Sequence, residues 1–288
     1  AVITLIGQIP SLETKQIIMQ ASRDQYRVVR RAAASSIASF PQGAFSENEM
    51  GALNGLMSEY EEAFLARPDD WAAHYNLGNY YQNQQKLEEA IQAYEKSIEL
   101  FPEAIAPLIN QSFAYNLLGK KEIALNRLYR ALEIDPANEA TNLNFAMLMG
   151  EMGRLEEAET AMRKVVDVNP NSAQAAYNLS VILTDRKPQE SLEWIKKAVE
   201  LGPQEPKYAY TYSFYLNKAG DQAEAISILN QSVQNFPSHV DSYLLLGSIF
   251  ESNKENTKAK ALYEQAVKIE GLSDEDQQRL QQKLQSLQ

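Results

Sequence analysis

Cysteine is absent from this chain of 288 residues. Its absence excludes disulfide bonds, thiol nucleophiles, cysteine-ligated zinc and covalent haem attachment within the chain. Proline and glycine are scarce, with 11 and 12 residues, and since both interrupt helices, their scarcity favours long helical segments. No apolar run approaches the roughly 20 residues that a membrane-spanning helix requires, so we expect no membrane insertion.

Basic residues are in the minority, because 27 Lys and Arg stand against 38 Asp and Glu, for a formal charge of −11. Phosphate backbones repel such a chain, which argues against a nucleic-acid partner. The first 45 residues depart from this balance, with five Lys or Arg against two acidic residues. We interpret this basic part either as an ordinary solvated surface or as a patch that meets an acidic neighbour.

Proline recurs at nearly constant intervals, and such internal repeats decide the whole fold. The series is spaced by 34 residues with one step of 33, and consists of Pro68, Pro102, Pro136, Pro170, Pro203 and Pro237. Two columns of small residues keep the same register: Ala90, Ala124, Ala158, Ser191, Ala225, Ala259 and Gly78, Ser112, Ala146, Ser180, Ser213, Gly247. A column of large residues accompanies them: Tyr94, Leu128, Met162, Ile195, Leu229, Tyr263. Small residues let two helices approach and large ones fill the space beside them, so the pattern predicts paired helices.

These columns resemble the tetratricopeptide-repeat (TPR) family, whose unit is a helix–turn–helix. The fullest match runs from His74-Tyr-Asn-Leu-Gly78 through Leu87-Glu-Glu-Ala-Ile-Gln-Ala-Tyr94 to Pro102. Six repeats are predicted, at 71–104, 105–138, 139–172, 173–205, 206–239 and 240–272. The resemblance implies an all-α fold, a right-handed superhelical TPR solenoid (α-α superhelix). Two departures stand out, since Gln111 replaces a large apolar residue and the fourth repeat is one residue short in its inner turn.

The two ends of the chain differ from the repeats. Residues 46–70 resemble a degenerate half repeat that keeps only its second helix, and residues 1–45 resemble a HEAT-like helical segment with an Arg- and Ala-rich stretch around Arg30. Ser273 is expected to cap the N-terminus of a capping helix over 273–288, with a dimerisation helix as the alternative. Because the chain begins with Ala1 rather than Met, we interpret it as a fragment of a longer protein.

The first helix of each repeat presents two faces on a wheel of 100° per residue. Counted from Trp71, positions 4, 7, 8 and 11 are packing columns, and positions 2, 5, 6, 9, 12 and 13 lie opposite, on what the TPR resemblance implies is the concave wall. Position 6 repeats asparagine, whose amide can pair with a peptide backbone. This row resembles the asparagine ladder of O-linked N-acetylglucosamine transferases, and it is equally typical of generic TPR sequences. The predicted peptide-binding groove comprises Tyr75, Asn76, Asn79, Ile109, Asn110, Phe113, Leu143, Asn144, Met147, Tyr177, Asn178, Tyr210 and Phe214.

Chemistry-bearing residues are few. His74 and His239 are the only histidines and lie far apart in the repeat array, where solvation or helix capping explains them. The sequence has no glycine-rich phosphate loop and no His-Glu-x-x-His zinc helix. We therefore predict no catalytic residue, no metal and no cofactor, and a non-catalytic scaffold that binds an extended or amphipathic segment of a protein or peptide. The apolar residues at positions 5 and 9 favour this function, unless neighbouring helices bury them.

Two other functions stay open. HEAT-like helices followed by TPRs are similar to the C-terminal region of bacterial multihaem c-type cytochrome proteins, which would make this chain the docking region of an electron-transfer protein. That resemblance implies a periplasmic or extracytoplasmic location, and otherwise a cytoplasmic one is expected. The other function is a self-assembling scaffold, a homo-oligomer formed through the solenoid edge or the terminal helix.

Overall fold

The computed structural model describes residues 12–40 and 44–287, and within them every regular element is a helix. The first eleven residues of the predicted HEAT-like segment lie outside the described part. The chain divides into two compact units, residues 1–153 and 154–288. The first unit contains α1 (Leu12–Ala21), α2 (Arg27–Ser39), α3 (Glu47–Leu65), α4 (Trp71–Asn83), α5 (Leu87–Leu100), α6 (Ile105–Leu117), α7 (Lys121–Ile134) and α8 (Glu139–Glu151).

The second unit contains α9 (Leu155–Val168), α10 (Ala173–Leu183), α11 (Pro188–Leu201), α12 (Pro206–Ala219), α13 (Gln222–Asn235), α14 (Val240–Ser252), α15 (Asn256–Ala266) and α16 (Asp274–Ser286). Within each unit, successive helices pack on one another as pairs. The predicted all-α solenoid of helix pairs is therefore confirmed in both units. In the described part of the chain, no helix combines the length and hydropathy needed to cross a membrane.

Short-range chemistry determines where these helices begin. Asp70 accepts the N–H of Ala72 at 3.0 Å at the start of α4, and Asn138 accepts the N–H of Thr141 at 3.0 Å at the start of α8. Ser172 and Asp221 cap α10 and α13 in the same way. These side chains satisfy amide groups that the first turn of a helix leaves without partners.

The inner turn of most predicted repeats contains one residue with positive φ. Glycine takes this place at Gly119, Gly153 and Gly220, while Gln85 and Lys254 adopt it with φ near 61°. The fourth repeat, one residue shorter here, has no positive-φ residue in its turn, and α11 begins with proline at its first position. The one-residue deletion seen in the sequence of the fourth repeat thus removes the residue that has positive φ in the other inner turns. Pro188 suits the start of α11, because its fixed φ is that of a helix.

Glycine and tyrosine are coupled across the helix pairs. Tyr94 and Tyr263 are fully buried, and a Cβ atom added to Gly78 or Gly247 would lie 2.4 or 2.2 Å from the facing ring. Two other repeats have leucine in place of the tyrosine and serine in place of the glycine. Leu128 is paired with Ser112 in the first unit, and Leu229 is paired with Ser213 in the second. The ring of tyrosine needs the room that a missing Cβ leaves.

Gln111 is as buried as the apolar residues of its column, and hydrogen bonds satisfy its amide nitrogen. Its Nε2 donates to the carbonyl oxygen of Ile91 at 3.1 Å and to Oε2 of Glu95 at 2.7 Å. Arg127 donates to the same carboxylate oxygen at 3.1 Å. A small polar network therefore joins α5, α6 and α7, where other repeats rely on apolar packing.

Helix α2 packs against both α3 and α4. Its apolar side contributes Ala33, Ala34 and Ile37 to the core that also holds Leu53 and Leu77. Helix α2, from the predicted HEAT-like segment, therefore shares a core with α3 of the predicted half repeat and α4 of the first predicted repeat.

The last helix closes the apolar end of the second unit. The hydroxyl of Ser273 accepts the N–H of Asp276 at 3.1 Å, as expected for the N-cap of α16. Leu280 is fully buried and belongs to a cluster that includes Tyr263. Arg279 donates to Asp241 at 2.6 Å and adds a polar contact to α14. The leucine stripe of α16 is thus used within the chain.

Candidate peptide-binding face

The thirteen predicted groove residues lie on the first helices of five repeats, and we call these positions the first-helix face, of which each unit carries its own part. In the first unit they are Tyr75, Asn76, Asn79 on α4, Ile109, Asn110, Phe113 on α6 and Leu143, Asn144, Met147 on α8; in the second they are Tyr177, Asn178 on α10 and Tyr210, Phe214 on α12. All thirteen are half-buried or exposed, whereas the adjacent packing positions, such as Leu77 and Leu108, are buried. The helical period alone thus separates the accessible side from the packed side.

Position 9 of the first helices carries large apolar side chains that solvent reaches. In the first unit Phe113 and Met147 are 45% and 52% exposed, and in the second unit Val181 and Phe214 are 46% and 44% exposed. Position 5, in contrast, is half-buried in all five repeats. Neighbouring helices therefore cover position 5 partly and leave position 9 open. Recurrent exposed apolar residues at one structural position are typical of binding surfaces.

The asparagines of position 6 are not equivalent. Asn110 donates from Nδ2 to Oδ1 of Asn79 at 2.7 Å and to the hydroxyl of Tyr75 at 3.3 Å. The hydroxyl of Tyr94 donates to the same oxygen of Asn79 at 2.8 Å. Asn110 thus joins α4 to α6, and a bound peptide would have to compete for its amide donor.

Asn144 and Asn178 also use their amides within the protein. Asn144 donates to the carbonyl oxygen of Ala140 at 2.8 Å, one turn earlier in its own helix. Asn178 accepts from Gln174 at 2.8 Å, while its own Nδ2 is shielded from solvent and has no partner among the described residues. Asn76 is exposed and has no such bond in the described part of the chain. The sequence pattern could not reveal this difference, because it depends on side-chain rotamers.

Aromatic rings and a lysine lie in and beside the second unit's part of the first-helix face. The rings of Tyr177 and Tyr208 lie 5.1 Å apart, and the ammonium group of Lys207 lies 5.0 and 5.5 Å from their centroids. The ring of Tyr210 lies 6.0 Å from that of His239. Burial raises the pKa of Tyr210, so this hydroxyl stays neutral at physiological pH. The surface offers flat apolar rings with polar edges, which suits peptide side chains better than it suits acid–base chemistry.

Both histidines have structural partners. His74 Nε2 lies 3.0 Å from the carbonyl oxygen of Pro68, and His239 Nδ1 lies 2.8 Å from the hydroxyl of Ser242. Burial lowers the pKa of His239 and so favours the neutral form of its imidazole. Within residues 12–40 and 44–287, no group of His, Asp and Glu side chains is arranged to hold a metal ion.

Comparisons with known proteins agree with this architecture. Models of the tetratricopeptide repeat match residues 71–103, 122–180, 209–239 and 240–271. A comparison with curated protein sequences finds no match.

Solved structures extend the likeness. A tetratricopeptide repeat protein from Parabacteroides merdae ATCC 43184 is 20% identical over 94% of this chain and 99% of its own, with a TM-score of 0.58. PilF of Pseudomonas aeruginosa is 20% identical over 75% of this chain and 99% of its own, with a TM-score of 0.60. YrrB, a TPR protein with an unusual peptide-binding site, is 18% identical over 63% of this chain and 94% of its own, with a TM-score of 0.50. Since the repeat models together cover more than half of the sequence, the chain belongs to the tetratricopeptide-repeat family.

Proposed function

We propose that this chain is a non-catalytic scaffold that binds an extended or amphipathic segment of a partner protein on its first-helix face. The observation that carries the proposal is the exposed apolar column at position 9, formed by Phe113, Met147, Val181 and Phe214. Leaving four large apolar side chains half in water at equivalent places has no benefit for folding. A partner that covers them gains the free energy of their burial, about 25 cal/mol per Å² of apolar surface.

The chemistry of the surrounding surface supports a protein ligand. Tyr75, Tyr177 and Tyr210 contribute rings with polar edges, and aromatic residues and methionine are enriched where proteins meet. Asn76 adds an amide that can pair with a peptide backbone. YrrB, another TPR protein, has a peptide-binding site, which supports the same use of the fold here.

The test is selection of binding peptides from a random display library, followed by titration of each selected peptide against variants of the face. Phe113→Ser with Met147→Ser removes the apolar column from the first unit, and Val181→Ser with Phe214→Ser removes it from the second. We expect at least one of these pairs to weaken binding about tenfold or more, since each lost apolar contact is worth about 1–2 kcal/mol. Helicity and the melting temperature should change little, because the replaced side chains are already half-exposed.

A matched control uses apolar residues of similar exposure outside the face. Ile123 on α7 and Val168 on α9, both on second helices, are 44% and 55% exposed. Ile123→Ser with Val168→Ser should leave peptide binding unchanged. The proposal fails if no selected peptide distinguishes the face variants from this control. Light scattering of the wild type in the same experiment detects self-association, which would identify a second copy as the occupant.

A further inference from the structure

We propose that a cavity beside Asn76, lined by two arginines of α2, binds an acidic side chain of the partner segment. The inference rests on the proposed function and deepens it, because it assigns a chemical identity to one residue of the ligand. The cavity, of about 510 Å³, lies within the first unit. Helix α2 contributes Arg27 and Arg31, α3 contributes Tyr60 and Phe64, and α4 contributes Asn76.

The cavity continues the first-helix face. Asn76 belongs both to the cavity lining and to position 6 of the first repeat, and it is the asparagine of that row whose amide is exposed. Because α2 packs on α4 as α4 packs on α6, α2 extends the row of first helices by one. A segment bound along the face would therefore reach the two arginines at the Asn76 end.

The charges near the cavity do not cancel. Glu59 accepts from Arg30 at 2.9 and 3.2 Å in a two-point contact, and Arg27 reaches the same carboxylate at 3.1 Å. One carboxylate thus serves two guanidinium groups, and the Arg27 side chain stays 63% exposed. Arg31 forms no ion pair with any described residue, and no described residue that lines the cavity is acidic.

This arrangement favours a carboxylate. Guanidinium groups bind carboxylates through paired hydrogen bonds in a plane, so an arginine that lines a cavity and has no ion pair among the described residues is a ready site for one. Val28, which lines the same cavity, is 75% exposed, and the ring of Phe64 stacks edge-on against Tyr60 at 4.9 Å. Apolar surface beside the arginines fits an acidic residue with an apolar neighbour in the segment.

Because the rest of the chain is acidic, the basic cavity can orient the bound segment. The formal charge of −11 makes most of the surface unfavourable for an acidic ligand, whereas the first 45 residues are basic. An acidic residue near one end of the segment would be attracted to the cavity and repelled elsewhere. The cavity would then determine the direction in which the segment lies on the face.

The experiment uses the peptides selected on the wild-type chain, with their C-termini amidated. We expect them to share an Asp or Glu next to an apolar residue. Replacing that Asp or Glu of the peptide by its amide should weaken binding to the wild-type protein about tenfold. The same replacement should weaken binding to the double variant Arg27→Gln, Arg31→Gln by less than twofold. The single variant Arg31→Gln, which breaks no ion pair of the described part, should show most of the effect and guards against misfolding of the double variant. Arg23→Gln, at an exposed residue in the turn after α1, removes the same charge and should behave like the wild type.

The outcomes separate the two proposals. Peptides that depend on Phe113 or Phe214 but carry no acidic residue overturn the inference and leave the proposed function intact. The inference is also overturned, and the proposed function left intact, if replacing the acidic residue of the peptide weakens binding equally for the wild type and for the arginine variants. Binding that requires a free C-terminal carboxylate rather than an acidic side chain overturns the identity of the occupant. Peptides that ignore the first-helix face altogether overturn both proposals.

Discussion

Replacing Gly247 by alanine tests how the helix pairs are packed. A Cβ atom at this position would lie 2.2 Å from Cζ and from the hydroxyl oxygen of Tyr263, whereas carbon atoms in contact lie about 3.5–4.0 Å apart. Tyr263 is fully buried, and its hydroxyl donates to Glu251 at 2.6 Å, so the ring cannot retreat without losing that bond. Overpacking of this kind costs about 1–3 kcal/mol, and the better helix propensity of alanine returns about 0.5–1 kcal/mol. We expect a net loss of about 1–2 kcal/mol from the free energy of unfolding.

A second substitution should reverse the sign of this effect. Tyr263→Leu removes the ring and reproduces the pairing of a small side chain with leucine that Ser213 and Leu229 show in the same unit. In the Y263L background the added Cβ finds open space, so G247A should stabilise the protein by about 0.5–1 kcal/mol. The coupling between the two positions would then be at least about 1.5 kcal/mol, well beyond the range for independent sites.

Urea unfolding followed by circular dichroism of the four proteins of this cycle measures the coupling. Gly55→Ala serves as the control, because Gly55 is exposed in the middle of α3 and a Cβ there meets nothing within 4 Å. That variant should be more stable than the wild type by about 0.5–1 kcal/mol. A shift of the urea midpoint in the same direction for G247A and G55A, or additive effects in the cycle, would refute close packing between Gly247 and Tyr263.

Two further predictions concern ion pairs. The carboxylate of Glu159 accepts hydrogen bonds from Lys187 at 2.6 Å and from Arg163 at 2.8 Å. Burial opposes ionisation of this carboxylate, but the two hydrogen bonds hold the pKa of Glu159 below its ordinary value. Glu159→Gln should therefore lower the free energy of unfolding by about 1–3 kcal/mol in urea denaturation, and an unchanged midpoint would contradict this. The pKa of Glu49 is lowered from 4.5 to about 2, first by Lys15 and then by the backbone and hydroxyl of Ser46. The contribution of the Glu49 carboxylate to stability is present above pH 4.5 and is lost as the pH falls towards 2. In Glu49→Gln, the melting temperature should therefore change less with pH over that window than in the wild type. Parallel plots of melting temperature against pH for the two proteins would contradict this prediction.

Much of the helical framework could be predicted from the sequence. The regular prolines and the columns of small and large residues indicated paired helices, because each column reflects packing repeated within every pair. The wheel placed Phe113 and Phe214 on the accessible side and Leu77 on the packed side, as the structure has them. The link between Gly247 and Tyr263 was also present in the sequence, since both columns change together in the first and sixth repeats, and comparison of the two columns would have found it.

Other features depended on distances that no repeat pattern contains. The place of α2 next to α4 could not be predicted, because α2 lacks the repeat columns and nothing in the sequence gives the angle at which it packs on its neighbours. Likewise, Arg31 was only one of five basic residues near the N-terminus until its surroundings showed a cavity without acidic lining.

The sequence by itself determined the number of repeats expected, the helix pairing and the side of each first helix that stays accessible, since helical periodicity and turn chemistry act over a few residues. Only the tertiary structure decided what that side offers to a ligand. Asn76 and Asn110 occupy the same position in consecutive repeats, yet one amide is exposed and the other is bonded to Asn79 and Tyr75. The difference arises because a hydrogen bond requires two groups from different helices to converge within about 3 Å, and periodicity carries no information about that distance.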